Sequence, residues 1–394
     1  MDRAGTSRGD GRVTFVTHRW ITSSADLSAL VETAAAQPRY ALDTEFHRER
    51  TYFPKLALVQ IAVDDDIALV DPLRCDMSLL RGLFTSESVA VLHAAQQDLD
   101  VLHHSVGAVP TRMYDTQLAA GFLGYSTPSL VSLLQSELKV NAAKGDRLTD
   151  WLRRPLTEEQ CQYAAADVAH LAALQDVLHA KLDSLGRVEW AAEAFGELLR
   201  KPVSGTDPDS AWTRLKDVRV LKPRARGVAR AVAAWRERRA MATDTPVRQV
   251  LPDLAVLGVA QRQPRTVAEL SQARGIDERH TRGSIAKELL EAVAIGATEE
   301  VQLPAPDGED LERTMRPAVA LVSAWVSEVA RQERIDTALL ATRHDLVAFL
   351  RGDSDARLAS GWRHDLLGDG IRRLVAGGAG LTFDGRGGLR LVEL

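Results

Sequence analysis

The chain has few cysteines and no long apolar run. Of its 394 residues only Cys75 and Cys161 are cysteine, and they form no CxxC or Cys/His cluster, so neither a disulfide framework nor a zinc site is indicated. No stretch reaches the roughly 20 apolar residues of a membrane helix, and the polar start lacks the apolar core of a signal peptide. These absences exclude secreted disulfide-rich and membrane-spanning classes, and we expect a cytoplasmic protein without a membrane partner.

The composition is that of a folded protein with several domains. Hydrophobic residues make up 45% of the chain and charged residues 26%, which is typical of globular rather than disordered protein. A length of 394 residues exceeds one ordinary core. Stretches at 201–210 and 301–310 have the Pro, Gly and Asp content of linkers. We therefore predict domains at residues 1–205 (core about 12–200), 210–298 and 305–394.

Hydrophobic patterns predict an α/β domain followed by helical segments. Strand patterns at 40–46, 56–63, 67–71 and 89–93 alternate with helical patterns at 78–84 and 98–105, which predicts a mixed sheet flanked by helices. A capping box from Thr157 to Gln160 begins a helix that we expect to reach about residue 185. The second and third predicted domains have helical patterns, and a short hairpin is expected near Asp384. The predicted fold is thus one α/β domain followed by two small all-α domains.

Charge is unevenly distributed along the chain, whose net charge is −5. Residues 1–200 contain 19 Lys+Arg and 27 Asp+Glu (−8), residues 201–300 contain 18 and 13 (+5), and residues 301–394 contain 12 and 14 (−2). An acidic first domain beside a basic middle segment is typical of metal chemistry next to a polyanion-binding surface. Ordinary variation of charge between domains is the alternative explanation.

Acidic side chains occur in three stretches of the first domain. Asp43 and Glu45 are two residues apart on a predicted strand, so they share one face. Asp98 follows a predicted strand end, and Tyr163 and Asp167 lie one helical turn apart. Taken separately, these stretches have ordinary explanations: a strand end facing solvent, a helix N-cap, and a packed tyrosine beside a solvated aspartate.

Taken together, the carboxylates favour metal-assisted phosphodiester hydrolysis. Adjacent carboxylates repel each other and are tolerated chiefly when a cation or a shared proton lies between them. Hard cations such as Mg²⁺ prefer carboxylate oxygen, and two ions about 4 Å apart can hold the attacking and leaving oxygens. The Tyr163 hydroxyl is suited to orienting the attacking water.

Three motifs resemble those of the DEDDy exonucleases, and specifically of the ribonuclease D family. They are DTEF with RTYFPKLALVQIA, then LHAAQQDLDVL, then TDWLRRPLTEEQCQYAAADVAHL, and the third is the most specific. The resemblance covers about residues 12–200 and implies a ribonuclease H-like fold. It also implies a catalytic set of Asp43, Glu45, Asp98, Tyr163 and Asp167, in which the four acids bind two divalent ions, Mg²⁺ or Mn²⁺, and the tyrosine positions water.

The second motif departs from the pattern of many relatives. Ala94 and Gln97 stand where those relatives have Asn and an aromatic residue. Asp100, two residues beyond Asp98, is a rival metal ligand, although the spacing from His93 favours Asp98.

The segment at 210–298 resembles an HRDC domain, a helical module that binds nucleic acid. WTRLKDVRVL, AAWRERRAMATD and VLPDLAVLGVAQRQPRTVAEL carry this likeness, and residues 305–394 resemble a second, divergent HRDC-like domain. A basic run expected to contact RNA phosphates contains one acid, Glu237, and seven cations: Lys222, Arg224, Arg226, Arg230, Arg236, Arg238 and Arg239.

The resemblance implies 3′ to 5′ removal of nucleotides from RNA with a 3′ extension, typically a tRNA precursor, as nucleoside 5′-monophosphates. No required protein partner is indicated. Candidate substrate contacts are Phe46, His93, Lys144, Arg147, Trp151, Arg154, Arg236, Arg238 and Arg239, for which packing in the core or a solvated basic surface is the alternative. Two other functions stay open: a DNA-directed 3′ to 5′ exonuclease and a non-catalytic RNA-binding scaffold.

Overall fold

The computed structural model describes residues 16–141, 149–201, 207–303 and 315–394. The chain divides into two compact units. The first contains Met1–Glu45, Leu56–Lys201 and Gly308–Leu394, and the second contains Phe46–Lys55 and Pro202–Asp307. The boundaries of the three domains expected from the sequence stay predictions.

A mixed sheet forms the centre of the first unit. Its order is β1-β4-β3-β2-β5-β6; β3 and β4 are antiparallel, whereas β1 pairs with β4, β2 with β5 and β5 with β6 in parallel. The strands are β1 (Arg19–Ile21), β2 (Arg39–His47), β3 (Lys55–Val63), β4 (Asp66–Val70), β5 (Val89–Leu92) and β6 (Met113–Asp115). Every residue of β3 after Lys55 is buried, as expected for a strand covered on both faces. The predicted mixed sheet is confirmed.

Helices flank this sheet. They are α1 (Ser24–Ala35), α2 (Leu80–Phe84), α3 (Gln96–Val106), α4 (Thr116–Gly121), α5 (Leu130–Leu133), α6 (Glu158–Ala169), α7 (Leu171–Ser184) and α8 (Val188–Arg200). The single helix predicted from Thr157 to about residue 185 is wrong in one respect, since it is two helices. His170, with φ −117° and ψ 4°, leaves the helical region between them. The capping box of Thr157 and Gln160 is formed as predicted.

The C-terminal segment packs in the same unit. Its elements are α14 (Arg316–Glu333), α15 (Thr337–Leu340), α16 (Arg343–Arg351), α17 (Gly361–Arg363), α18 (Asp369–Val375), β7 (Ala379–Phe383) and β8 (Leu389–Glu393). The Arg363 side chain is 1% exposed and donates to Glu193 at 2.6 Å, while Trp362 stacks on Trp190. The antiparallel pair β7 and β8 corrects the all-α expectation and confirms the predicted hairpin.

The second unit is helical. Its helices are α9 (Pro223–Ala242), α10 (Val247–Val250), α11 (Asp253–Arg262), α12 (Val267–Leu270) and α13 (Gly283–Gly296). Helices α9 and α13 approach closely because each has a glycine at the contact: a Cβ on Gly227 would lie 2.4 Å from the Gly296 carbonyl oxygen. The segment Phe46–Lys55 belongs to this unit, and the Tyr52 hydroxyl donates to Glu237 at 2.7 Å.

None of the described helices has the length and apolarity needed to span a bilayer.

Candidate active site

Strand β2 provides the first two acids. Asp43 and Glu45 alternate with buried Leu42 and Thr44 near its C-terminal end, so period-two alternation turns both carboxylates to one face. This is the arrangement that their spacing predicted.

Helix α3 provides the third acid in its first turn, beyond the end of β5. Asp98 is 7% exposed, and its carboxylate accepts a hydrogen bond from the Thr44 hydroxyl. Asp98 is among the charges that raise the pKa of Asp43, Glu45 and Asp167. These contacts favour Asp98 over its rival Asp100, which is also buried on α3.

Helix α6 provides Tyr163 and Asp167. Four residues apart, they lie on one face of the helix, and the tyrosine hydroxyl is close enough to the Asp167 carboxyl group to lower the pKa of that acid, against the larger effect of burial. Burial, followed by the charges of Asp167, Glu45 and Asp43, raises the pKa of Tyr163. The phenol therefore stays protonated at neutral pH and serves as a hydrogen-bond donor rather than a base.

The acids form an electrostatically unfavourable cluster. Asp43, Glu45 and Asp167 each present an oxygen within 4.8 Å of the other two. Burial, with the neighbouring charges, raises the pKa of Asp43 well above its ordinary value and that of Glu45 to about 8. Burial also raises the pKa of Asp98 to about 7 and that of Asp167 to about 7. In the absence of a cation, Asp43 and Glu45 therefore favour the protonated form near neutral pH, and Asp98 and Asp167 are about half protonated there.

A divalent cation fits this donor set. Three carboxylate oxygens that converge within one coordination sphere, held by a strand and a helix, are the ligands that Mg²⁺ and Mn²⁺ prefer. A bound cation removes the repulsion that raises the pKa of Asp43, Glu45 and Asp167. The predicted metal ligands are thus gathered in one place, with Asp98 beside them.

Arg154 and Trp151 lie in the segment that leads into α6, but neither is a free surface group. Arg154 Nε and Nη2 donate to Asp71 at 3.0 and 2.9 Å, Nη2 also to the Ala57 carbonyl at 2.6 Å, and Nη1 to the Trp151 and Arg153 carbonyls at 2.7 and 2.9 Å. The Trp151 ring, in a residue 6% exposed, lies 6.1 Å from that of Tyr163. This network favours a role in positioning Tyr163.

His93 and Asp115 shape the turn between β5 and α3. His93 Nδ1 lies 2.9 Å from the Thr116 hydroxyl, and burial lowers the histidine pKa. The Asp115 carboxylate accepts from the amides of Ala94 and Ala95 at 3.2 and 2.9 Å, and it also caps α4. These contacts favour a role for His93 in holding the turn that presents Asp98.

The other predicted substrate contacts belong to the second unit or fall outside the described residues. Lys144 and Arg147 fall outside the described residues. Phe46 belongs to the second unit, with the Arg48 guanidinium carbon 5.2 Å from its ring centre. The three arginines of α9 that were predicted to contact substrate all have carboxylate partners: Arg236 with Asp253, Arg238 with Asp209, and Arg239 with Glu288.

Sequence reasoning missed Thr44, Asp71 and Asp115. Asp115 carried a usable signal, because an Asp between a strand and a helix is a typical N-cap. Thr44 lies inside the DTEF motif, but its partner Asp98 is distant in sequence, as Asp71 is from Arg154.

Comparisons with known proteins agree with this geometry. A profile of the 3′ to 5′ exonuclease family matches residues 18–183, and an HRDC domain profile matches residues 225–293. Ribonuclease D of Jannaschia sp. (strain CCS1) is 36% identical over 95% of this chain and 99% of its own. The chain belongs to the ribonuclease D family. Ribonuclease D of Gluconacetobacter diazotrophicus is 35% identical over 93% of this chain and 94% of its own.

A solved ribonuclease D has the same fold. The crystal structure of Escherichia coli RNase D, described as an exoribonuclease involved in structured RNA processing, superposes with a TM-score of 0.81 at 30% identity, covering 92% of this chain and 99% of that one. Members of this family are metal-dependent 3′ to 5′ exoribonucleases, and the acidic cluster on β2 and α6 is the corresponding feature of this chain.

Proposed function

We propose that this ribonuclease D removes nucleotides one at a time from RNA 3′ ends and releases nucleoside 5′-monophosphates. The observation that carries the proposal is the convergence of Asp43, Glu45 and Asp167 within 4.8 Å, with Asp98 beside them. Because these carboxylates repel one another when ionised, the four acids are not all ionised near neutral pH unless a cation is bound.

The metal site is proposed to hold two Mg²⁺ or Mn²⁺ ions through Asp43, Glu45, Asp98 and Asp167. Such ions stabilise charge on the phosphate and make a bound water a better nucleophile. The protein's own contribution is to fix the ligand oxygens through rigid elements, β2 and α6, and through the bond from Thr44 to Asp98.

Tyr163 is proposed to orient the attacking water. Its hydroxyl lies beside Asp167, and its raised pKa keeps the proton on the phenol. The Trp151 carbonyl accepts a hydrogen bond from Arg154, and the Trp151 ring lies next to the tyrosine ring. Tyr163→Phe should therefore lower kcat by roughly 100-fold while metal binding stays unchanged.

The substrate is proposed to be stable RNA with a 3′ extension, above all tRNA precursors. The E. coli relative acts in structured RNA processing, and the HRDC domain at 225–293 supplies a second surface for the RNA. A second, divergent HRDC-like domain at 305–394 is part of the proposal, as is a cytoplasmic location, which this substrate implies.

The test compares a 5′-labelled tRNA carrying a 3′ trailer with single-stranded RNA and DNA of one sequence. We expect stepwise shortening of the trailer with Mg²⁺ or Mn²⁺, and RNA preferred over DNA. Asp43→Asn, with a thermal midpoint in EDTA no lower than that of the wild type, should be inactive. Preference for DNA would favour the DNA-directed alternative, and binding without shortening would favour the scaffold.

A further inference from the structure

The basic run at residues 222–239 divides into two parts with different environments. In the C-terminal part, each of four arginines has a carboxylate partner: Arg230 with Glu299, Arg236 with Asp253, Arg238 with Asp209, and Arg239 with Glu288. Arg236 is 4% exposed and also donates to the Leu251 carbonyl at 3.0 Å. Arg236 and Arg239 therefore join α9 to α11 and α13, and Arg230 and Arg238 pair with acids outside the helices.

The groove beside this part of α9 is not basic. It lies between α9 and α13 and is lined by three arginines, Arg230, Arg238 and Arg239, and by four acids, Asp209, Glu288, Glu291 and Glu299. A phosphate entering the groove would meet more carboxylates than cations, and each ion pair that it broke would leave an acid unpaired. Polyanion binding is therefore disfavoured there.

The preceding segment, residues 211–226, has the opposite balance. It contains six cations and a single acid, Asp217: the cations are Arg214, Lys216, Arg219, Lys222, Arg224 and Arg226. All of these cations except the half-buried Arg226 are exposed. Within the part of the chain that the structure describes, the side chains of Lys216, Lys222 and Arg224 have no carboxylate or hydrogen-bond partner.

The elements that carry these cations are joined to one another. The 3-10 turns at Ala211–Arg214 and Val218–Val220 pack against each other and the first of them packs against α9. Arg226 Nη2 donates to the Arg219 carbonyl at 3.0 Å, which ties the second turn to the start of the helix. The first turn of α9 contains no acid, so the positive end of the helix adds to the same field. We call Arg214, Lys216, Arg219, Lys222 and Arg224 the basic edge.

We propose that the basic edge, rather than the arginines at 236–239, is the surface on which the HRDC domain binds the RNA backbone. Trp212, the aromatic residue of this segment, is 4% exposed, so the edge has no platform on which bases could stack. It contacts phosphates and reads no sequence. The proposal rests on the proposed function only in naming RNA as the polyanion.

The test measures binding of the full chain to a single-stranded RNA in EDTA, which prevents cleavage, over a range of salt concentrations. One variant combines Lys216→Gln, Lys222→Gln and Arg224→Gln. The matched control combines Arg279→Gln, Arg282→Gln and Lys287→Gln, which removes the same charge from exposed cations of the same unit that pair with Asp277, Glu278 and Glu291.

The edge variant should make the negative slope of log K against log salt less steep by about 2, since each phosphate contact on a single strand contributes about −0.7. The control should keep the wild-type slope, and a DNA of the same sequence should show the same loss as the RNA. With metal restored, KM should rise while kcat is unchanged. Equal slopes for edge variant and wild type, or an equal loss in the control, would overturn the proposal. Because binding is measured without cleavage, an inactive enzyme would contradict the proposed function without affecting this result.

Discussion

The hydroxyl of Thr44 donates a hydrogen bond to the Asp98 carboxylate and so joins β2 to the first turn of α3. Both residues are buried, at 5% and 7% exposure. Burial raises the pKa of Asp98, whereas the Thr44 bond lowers it. Thr44 therefore fixes the position of Asp98 and favours its ionised form.

Thr44→Val should weaken metal binding by about 10- to 100-fold, because it keeps the side-chain shape but removes the donor that orients Asp98. Calorimetric titration of the full chain with Mn²⁺ measures this directly. Thr44→Ser retains the hydroxyl and should stay within about threefold of wild type. Equal affinities for the valine variant and wild type would show that the bond does not orient a metal ligand.

The metal-free protein should lose stability as pH rises. An acid whose pKa is higher in the folded state than in the unfolded state holds its proton more tightly when folded. The contribution of such an acid to the free energy of unfolding is therefore greatest below its pKa in the unfolded state, about 4. This contribution is lost as the pH rises towards the pKa in the folded state. For Glu45 that value is about 8, and for Asp98 and Asp167 about 7, so the decline should occupy the window from about pH 4 to pH 8.

Asp167→Asn provides the matched comparison, because it removes one charge from the cluster and keeps the side-chain shape. In EDTA its thermal midpoint should equal that of wild type near pH 4 and exceed it by several degrees at pH 8. Mn²⁺ should raise the wild-type midpoint at pH 8 far more than that of the variant. A difference in midpoint that does not change with pH would contradict the electrostatic account of the cluster.

Arg154→Ala should cost about 3 kcal/mol of stability, because it leaves Asp71, whose side chain is 5% exposed, without its partner. The kcat should also fall, since the Trp151 carbonyl loses its donor beside Tyr163. Arg153→Ala alters an exposed neighbour and should change neither quantity. If the variant is less stable but has the wild-type kcat, Arg154 does not help to position Tyr163.

Ala94→Asn should stabilise the protein by roughly 0.5 to 1 kcal/mol. Ala94 is exposed and has φ 58°, a left-handed conformation that is costly for alanine and better tolerated by asparagine. Ala36→Asn, at φ −81°, is the control and should give no such gain. A lower thermal midpoint for Ala94→Asn would show that asparagine does not reduce the cost of the left-handed conformation at this position.

Local signals in the sequence were sufficient for the elements that carry the acids. Alternation along β2 placed Asp43 and Glu45 on one face, and the capping box fixed the start of α6. The break at His170 has no comparable signal, since the apolar periodicity continues through it. Strands β1 and β6, of three residues each, are too short for a pattern to be recognised.

Long-range partners explain what the sequence could not predict. The run at 222–239 reads as uniformly basic, but the acids that neutralise its C-terminal part, such as Asp253 and Glu288, come from α11 and α13. Arg154 reads as a free cation near the site, yet its partner Asp71 is 83 residues away. Charge along the chain therefore indicates a basic segment but does not show which of its cations are paired with carboxylates of other elements.

In the proposed activity, the cluster around Asp43 and Asp167 hydrolyses RNA from its 3′ end. The most direct measurement incubates the purified chain and its Asp167→Asn variant with a 5′-labelled single-stranded RNA and Mg²⁺ or Mn²⁺, followed by mass analysis of the small products. We predict a ladder that shortens by one nucleotide at a time, nucleoside 5′-monophosphates as the products, and no shortening by the variant. Internal cuts, oligonucleotide products, or equal activity in the variant would contradict hydrolysis from the 3′ end by this cluster.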